Sequence, residues 1–318
     1  MDAVLLVAGG LVLLVIGGEA VVRGAVGAAR RLGVSELLIG LTLVGFGTSA
    51  PELLTSIKAA LAGSPGISIG NVIGSNIANI LLIFALVAVI KPVAVEPNAI
   101  RRDGMIMIAA TVLLTAIGVG LGGLSRWAGA LLVGALVGYL LLAWFMERDG
   151  GPAAQLHERE GHTHDPVPAP LWLSVGIALV GLGLLMVGAS LLVSGAVDLA
   201  RLAGLSETVI GLTIVAIGTS LPELVASLAA AVKGRSGVAF GNIVGSNIYN
   251  VLGILGITAL IAPIEFPPDI AVRDWIALVG AAVLLIFHAW TGARVSRWEG
   301  AFLLTLYCAY GVALFVPA

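Results

Sequence analysis

Charged residues are scarce in this chain. Only 11% of its 318 residues are Asp, Glu, Lys or Arg, whereas 59% are hydrophobic. Soluble domains carry roughly 25% charged residues, so the composition excludes an ordinary water-soluble protein and indicates a membrane protein. The net charge of −2 supplies no basic field, which excludes nucleic acid as a partner.

Cysteine and histidine are also rare. The single cysteine, Cys308, excludes an intrachain disulfide. Three of the four histidines, His157, His162 and His164, lie in one polar stretch, which we interpret as a solvated loop because nothing there imposes metal-ligand geometry. We therefore expect no resident cofactor, and no obligatory protein partner is evident.

Long apolar runs make up most of the chain. A helix needs about 20 such residues to cross a bilayer. We identify ten runs of this order, at 3 to 22, 36 to 61, 67 to 90, 104 to 121, 126 to 146, 171 to 194, 207 to 232, 238 to 262, 271 to 290 and 298 to 316. The predicted fold class is an all-α integral membrane protein with ten transmembrane helices.

The sequence repeats itself after 171 residues. "GLTLVGFGTSAPE" at 40 to 52 matches "GLTIVAIGTSLPE" at 211 to 223 at nine of thirteen positions, and "GNVIGSNIANILLI" at 70 to 83 matches "GNIVGSNIYNVLGI" at 241 to 254. Because each copy holds an odd number of spans, five, the second must insert upside down. We predict two inverted repeats, 1 to 146 and 170 to 318, joined by a cytoplasmic linker at 147 to 169, the pattern of a secondary transporter.

Each repeat carries one acid deep in a span, Glu52 and Glu223. A carboxylate in lipid costs several kcal/mol unless it is paired or used, and no basic residue lies at that depth. Pro51 and Pro222, which lack amide hydrogens, precede the acids and would free carbonyls one turn earlier. Helices 2 and 7 are therefore predicted to be broken at the acids.

Neutral oxygens accompany both acids at helical spacing. Thr48 and Thr219 stand four residues before the glutamates, and Ser49 and Ser220 stand three before. In helices 3 and 8, which we also predict to be broken, beside Gly74 and Gly245, the matching pairs are Ser75 with Asn79 and Ser246 with Asn250. A site made of oxygen alone favours a hard cation such as Ca2+, and Na+ also accepts such ligands.

These motifs resemble the two alpha-repeats of the sodium/calcium exchanger family, within the cation/calcium antiporters of prokaryotic type. The resemblance covers nearly the whole chain and implies exchange of Na+ for Ca2+ by alternating access, normally with export of Ca2+. It implies Ca2+ ligands at Thr48, Glu52, Thr219 and Glu223. It implies Na+ ligands at Gly45, Ser49, Glu52, Ser75, Asn79, Ala216, Ser220, Glu223, Ser246 and Asn250.

One position departs from the resemblance. Relatives often carry aspartate where this chain has Asn250, and potassium-dependent relatives rely on acids in this region. We expect exchange driven by Na+ without K+; a proton-coupled or K+-dependent antiporter is the alternative. A cation channel and an intramembrane hydrolase that uses the two acids are disfavoured by the inverted duplication and by the absence of histidine ligands within the spans.

Orientation follows from the basic residues. Of 16 lysines and arginines, twelve lie in loops that follow odd-numbered spans and four on the opposite side. The positive-inside rule places the twelve in the cytoplasm, so both termini are predicted outside, in a plasma (inner) membrane.

Overall fold

The structure, a computed structural model, describes residues 3–148, 169–203, 218–266, 270 and 272–314. It is mostly helical. The described helices are α1 (Ala3–Leu32), α2 (Glu36–Thr48), α3 (Ala50–Leu61), α4 (Pro65–Ile90), α5 (Pro97–Gly120), α6 (Arg126–Arg148), α7 (Leu171–Leu202), α8 (Leu221–Val232), α9 (Ser236–Ile261), α10 (Val272–Gly292) and α11 (Arg297–Ala313).

Seven of these helices, α1, α4, α5, α6, α7, α9 and α10, are long and apolar enough to cross a membrane, and the bent pair of α2 and α3 would make an eighth span. The chain is thus an integral membrane protein. The span predicted over 207 to 232 is described only in its second half, as α8, and the last span corresponds to the 17-residue helix α11. The count of ten crossings stays a prediction.

Helices α4 and α9 form the centre of the molecule. In the most apolar window of each, 67% and 89% of the residues are buried, against 28 to 39% for the other candidate spans. These two helices carry the Ser and Asn residues of the repeated GSN motifs. Their central position keeps those polar side chains away from lipid, where they would lack hydrogen-bond partners.

The prediction that helices 3 and 8 are broken is wrong. Both α4 and α9 are continuous, and each contains one π-helical segment, Asn79–Phe84 and Tyr249–Ile254. Glycine keeps its amide hydrogen, so Gly74 and Gly245 leave the helical hydrogen bonds intact. Gly245 serves close packing instead, because a Cβ there would lie 2.7 Å from the carbonyl oxygen of Leu41.

Helices α1 and α7 pack antiparallel along a glycine seam. The seam consists of three glycines spaced seven residues apart in each helix: Gly10, Gly17, Gly24, Gly181, Gly188 and Gly195. A Cβ at Gly10 would lie 2.7 Å from the Gly188 carbonyl oxygen, and one at Gly17 would lie 2.9 Å from that of Gly181. Small residues permit this close approach of two backbones. The resulting van der Waals contacts stabilise the helix pair in a membrane, where burial of apolar side chains from lipid contributes little.

Two short strand pairs join the loops between helices. β1 (Val93–Ala94) pairs antiparallel with β4 (Arg294–Val295), and β2 (Gly123–Leu124) pairs antiparallel with β3 (Ile264–Glu265). Strands β1 and β3 are 171 residues apart in sequence, as are β2 and β4. Each pair therefore combines one strand from each half of the chain, in equivalent positions.

An Arg–Asp–Tyr constellation braces each half of the chain, and sequence reasoning missed it. Tyr139 donates to Asp103 at 2.9 Å, and Tyr310, 171 residues later, donates to Asp274 at 3.0 Å. In the first half Arg102 also binds Asp103 and Glu147, and Glu147 accepts the backbone N–H of Ser35, which caps α2. The start of α2 is thereby tied to α5 and α6. The 36-residue spacing from Asp to Tyr, present in both repeats, was the signal available.

Glu19 and Arg23 stand four residues apart in α1, a spacing that predicts a local ion pair, but Glu19 does not pair with Arg23. Its carboxylate pairs instead with Lys233, which follows α8, and its side chain is 58% exposed. Helix α1 is packed closely enough against α8 to bring this lysine within reach. The pair lies outside the buried centre.

Candidate functional site

The two acids sit where two helices begin again after an interruption. Ser49 departs from helical geometry, and α2 and α3 meet there at 44°. Pro51 occupies the first turn of α3, and Pro222 occupies the first turn of α8, which follows a similarly non-helical Ser220. Proline is tolerated in a first turn because no helical partner is lost there. The predicted break is confirmed for helix 2, and the first half of helix 7 lies outside the described residues.

The two acids are buried, and each accepts a hydrogen bond from the opposite repeat. Glu52 and Glu223 are each 1% exposed. The Ser49 hydroxyl donates to Oε1 of Glu223 at 3.1 Å, and the Ser220 hydroxyl donates to Oε1 of Glu52 at 3.4 Å. Each serine thus binds the acid of the opposite repeat, which brings the predicted acids together.

Four buried oxygens at this centre have no hydrogen-bond donor within the described part of the chain. They are Oε2 of Glu52, Oε2 of Glu223, Oδ1 of Asn79 and Oδ1 of Asn250. All four belong to residues predicted as ligands. Buried acceptors are costly unless something binds them, and two of them carry negative charge. A bound cation would satisfy carboxylate and amide oxygens together.

Hard cations fit this donor set. Throughout the described ranges no three His, Cys, Asp or Glu side chains group as a metal cluster, and no ion pair involves Glu52 or Glu223. Ca2+ accepts irregular sets of carboxylate, carbonyl and hydroxyl oxygens. Two carboxylates would also neutralise its charge. The arrangement can therefore bind and desolvate one divalent cation, or monovalent cations in its place.

The remaining predicted ligands lie in the same region, with one exception. Thr48, Ser49, Ser75, Ser220 and Ser246 are buried, and Gly45 lies in the last turn of α2. Thr219 lines a cavity of about 230 Å³ between α7 and the two prolines, Pro51 and Pro222. Ala216 lies outside the described residues, as do the linker histidines.

Two asparagines that sequence reasoning did not single out support the acids. Asn71 donates to the backbone carbonyl of Glu52 at 3.1 Å and to Ser56 at 2.9 Å. Asn242, its counterpart in the second repeat, donates to the carbonyl of Glu223 at 3.2 Å and to Ser227 at 2.8 Å. Both stand in the repeated "GN" of the motif, so their identity across the repeats was the available signal.

A third asparagine orients Asn250. The Asn250 amide nitrogen donates to Oδ1 of Asn76 at 2.9 Å. This contact uses one of the two amide hydrogens, and Oδ1 of Asn250 has no hydrogen-bond partner among the described residues. Asn250 can therefore serve as an uncharged oxygen ligand.

Comparisons with known proteins agree with this chemistry. The family model described as "Sodium/calcium exchanger protein" matches residues 3–145 and 173–316. The chain is 40% identical to the putative antiporter CaxA of Alkalimonas amylolytica, over 96% of both chains. It is 33% identical to the sodium/calcium exchanger MaX1 of Methanosarcina acetivorans, again over 96% of both.

A solved structure is similar over the full length. The sodium-calcium exchanger NCX_Mj, in crystals soaked with zero Na+ and Ca2+, superposes with a TM-score of 0.83 at 34% identity and covers 98% of each chain. At this identity the similarity extends beyond the shape of the fold.

Proposed function

The chain belongs to the sodium/calcium exchanger protein family, a transporter family, which makes it a cation/Ca2+ antiporter, and on that premise we propose that it exchanges Na+ for Ca2+ by alternating access, is not an enzyme and normally exports Ca2+. The observation that carries the proposal is the set of four unbonded buried oxygens on Glu52, Glu223, Asn79 and Asn250. Their net charge of two negative units matches one Ca2+.

The two ions would share ligands. In this proposal Ca2+ is bound by Thr48, Glu52, Thr219 and Glu223. Na+ is bound by Gly45, Ser49, Glu52, Ser75, Asn79, Ala216, Ser220, Glu223, Ser246 and Asn250. Because both acids belong to both sets, occupation by one ion excludes the other. This competition couples the two fluxes, since each ion is displaced only by its rival.

Symmetric contacts support the proposed ten-helix architecture of two inverted repeats, residues 1 to 146 and 170 to 318, joined by the 147 to 169 linker. The bonds of Asn71 and Asn242 correspond one to one across the 171-residue shift, as do the crossed bonds of Ser49 and Ser220. The strand pairs β1–β4 and β2–β3 exchange under the same shift. A pseudo-two-fold axis that passes between Glu52 and Glu223 would produce these equivalences.

Helices α1 and α7 are the proposed moving gate. They supply none of the proposed ligands, and the glycine seam joins them into one unit. Met186, Ser190 and Val193 of α7 line the cavity that reaches Thr219. A shift of the paired helices along α2, α3 and α8 would therefore open or cover the site from one side.

Flux measurements in proteoliposomes test the function. We expect 45Ca2+ uptake when an outward Na+ gradient is imposed and none when only a K+ or H+ gradient is present. Asn250 supports independence from K+, because the site has only two carboxylates. Uptake that requires K+ would assign the K+-dependent alternative, uptake driven by H+ alone would assign the proton-coupled one, and Ca2+ flux without any counter-ion would indicate a channel.

The proposed orientation places the 147 to 169 linker in the cytoplasm and both termini outside. In a Cys308→Ser background, a cysteine in place of Gly161 should react with a membrane-impermeant maleimide only from the cytoplasmic side. A cysteine added after Ala318 should react only from outside. The proposed orientation is based on the twelve-to-four charge bias. The reverse labelling pattern would overturn it.

A further inference from the structure

The carbonyl oxygen of Gly45 has one lone pair to offer. It already accepts the backbone N–H of Ser49 at 3.2 Å, and a carbonyl oxygen has two lone pairs. Two hydroxyls approach the second lone pair, Thr48 at 3.3 Å and Ser246 at 3.5 Å. In the proposed function this carbonyl is an Na+ ligand, so a hydroxyl proton and Na+ compete for the same electrons.

The Thr48 hydroxyl has a second acceptor. Its single proton can be donated to the Gly45 carbonyl at 3.3 Å or to Oδ1 of Asn242 at 3.1 Å, and the Glu223 carboxylate is a third hydrogen-bond partner, which a bound cation would occupy. Donation to Asn242 removes the nearer competitor from the Gly45 lone pair and leaves the Ser246 hydroxyl, at 3.5 Å, as the more distant one. Donation in either direction leaves the lone pairs of the Thr48 oxygen itself available, so the choice concerns Gly45 more than Thr48.

Two contacts hold Asn242 in the orientation that accepts this proton. Its amide nitrogen donates to the Glu223 carbonyl at 3.2 Å and to Ser227 at 2.8 Å, which uses both amide hydrogens. A flipped amide would place its oxygen against the Glu223 carbonyl, which cannot donate, and would point donors at the Thr48 hydroxyl. Asn242 is 0% exposed, so water cannot replace the lost bond.

We infer that Asn242 is a positioning residue that draws the Thr48 hydroxyl proton away from the Gly45 carbonyl, and so removes the nearer of the two hydroxyl protons that compete with Na+ there. The inference rests on the proposed function, in which Gly45 binds Na+ and Thr48 binds Ca2+. It connects the second repeat, through Asn242, to an ion ligand of the first. Asn242 touches neither ion and acts through Thr48.

Asn242→Leu tests the inference, because leucine has similar volume and no acceptor. Once Na+ occupies the Glu223 carboxylate, the Thr48 proton has the Gly45 carbonyl as its remaining acceptor, and Na+ must displace it. We expect equilibrium binding of 22Na+ to the purified protein to weaken by about tenfold, the effect of one hydrogen bond that must be broken. Ca2+–Ca2+ self-exchange, which needs no Na+, should change less than Na+ binding does.

Two further variants separate positioning from general packing. Ser227→Ala removes one bond of Asn242 but leaves Oδ1 facing Thr48, so its Na+ affinity should equal that of the wild type. Thr48→Val removes the proton; it should weaken Ca2+ binding without lowering Na+ affinity. In the Thr48→Val background, Asn242→Leu should cause no further loss of Na+ affinity, since contacting residues are not additive when one acts through the other.

The outcomes that would overturn the inference are specific. An unchanged Na+ affinity in Asn242→Leu would do so, as would the same loss in the presence and absence of the Thr48 hydroxyl. If Asn242→Leu does not elute as a folded monodisperse protein, Thr48→Val alone decides, because a loss of Na+ affinity there contradicts the competition at Gly45. Failure of the proposed function would appear separately, as wild-type protein without Na+-driven Ca2+ exchange.

Discussion

Replacing Glu52 or Glu223 with glutamine is expected to reduce Na+-driven Ca2+ uptake to the level of protein-free vesicles. Each acid is 1% exposed, and each has one carboxylate oxygen with no donor among the described residues. Glutamine keeps the size of the side chain but removes half of the negative charge that faces a divalent ion. In a site away from water this loss is severe, because nothing else compensates the cation.

The same variants are expected to fold. Glutamine retains an oxygen that can accept the crossed serine bond, from Ser220 for Glu52 and from Ser49 for Glu223. Both the uptake rate and the elution profile in detergent should be measured. Glu265→Gln is the matched control, because Glu265 is exposed in β3 and the substitution should leave uptake unchanged. Exchange at near wild-type rates in either acid variant would show that the site has been misplaced.

A bulky residue in the glycine seam is expected to have the second largest effect. In Gly17→Leu, the new Cβ would lie 2.9 Å from the carbonyl oxygen of Gly181, so the backbones of α1 and α7 must separate. Overpacking typically lowers the free energy of unfolding by about 1–3 kcal/mol. We expect at least that loss here, because the new side chain meets backbone atoms, which cannot rotate away. We expect a lower melting temperature in detergent and at least a tenfold loss of exchange, since the proposed gate no longer moves as one unit.

Gly9→Leu is the control for the seam. Gly9 belongs to the same helix, but a Cβ there meets nothing within 4 Å. Its melting temperature and exchange rate should therefore match those of the wild type. Equal behaviour of the Gly17 and Gly9 variants would contradict a close helix pair. Gly17→Ala should fall between them, because it adds the same Cβ without the rest of the side chain.

Several features of the site were readable from sequence because they depend on local chemistry. A proline followed by a glutamate inside an apolar run implies a helix interruption and a functional acid wherever the run is placed, and the structure has Ser49 at that interruption. The spacing of Thr48 and Glu52 predicted that both lie on one helix face, and this stays a prediction because the chain leaves helical geometry at Ser49, between them. Duplication strengthened both predictions, because two independent stretches show the same pattern.

Other features depended on which helices become neighbours. A sequence motif does not reveal that Ser49 binds the acid of the other repeat, or that Asn242 accepts a hydrogen bond from Thr48, 194 residues away. Glu19 illustrates the opposite error. A nearby arginine at helical spacing suggested a local pair, yet helix packing supplied Lys233.

The sequence by itself determined the membrane class, the duplication, the family and the residue types that can bind a cation, because composition, internal identity and helical periodicity are properties of the chain in one dimension. Only the tertiary structure decided the continuity of α4 and α9, the glycine seam and the crossed hydrogen bonds of the acids. These features arise from contacts between helices far apart in sequence. How closely two helix backbones approach, and which side chains then face each other, decides these features. Neither is encoded in local periodicity.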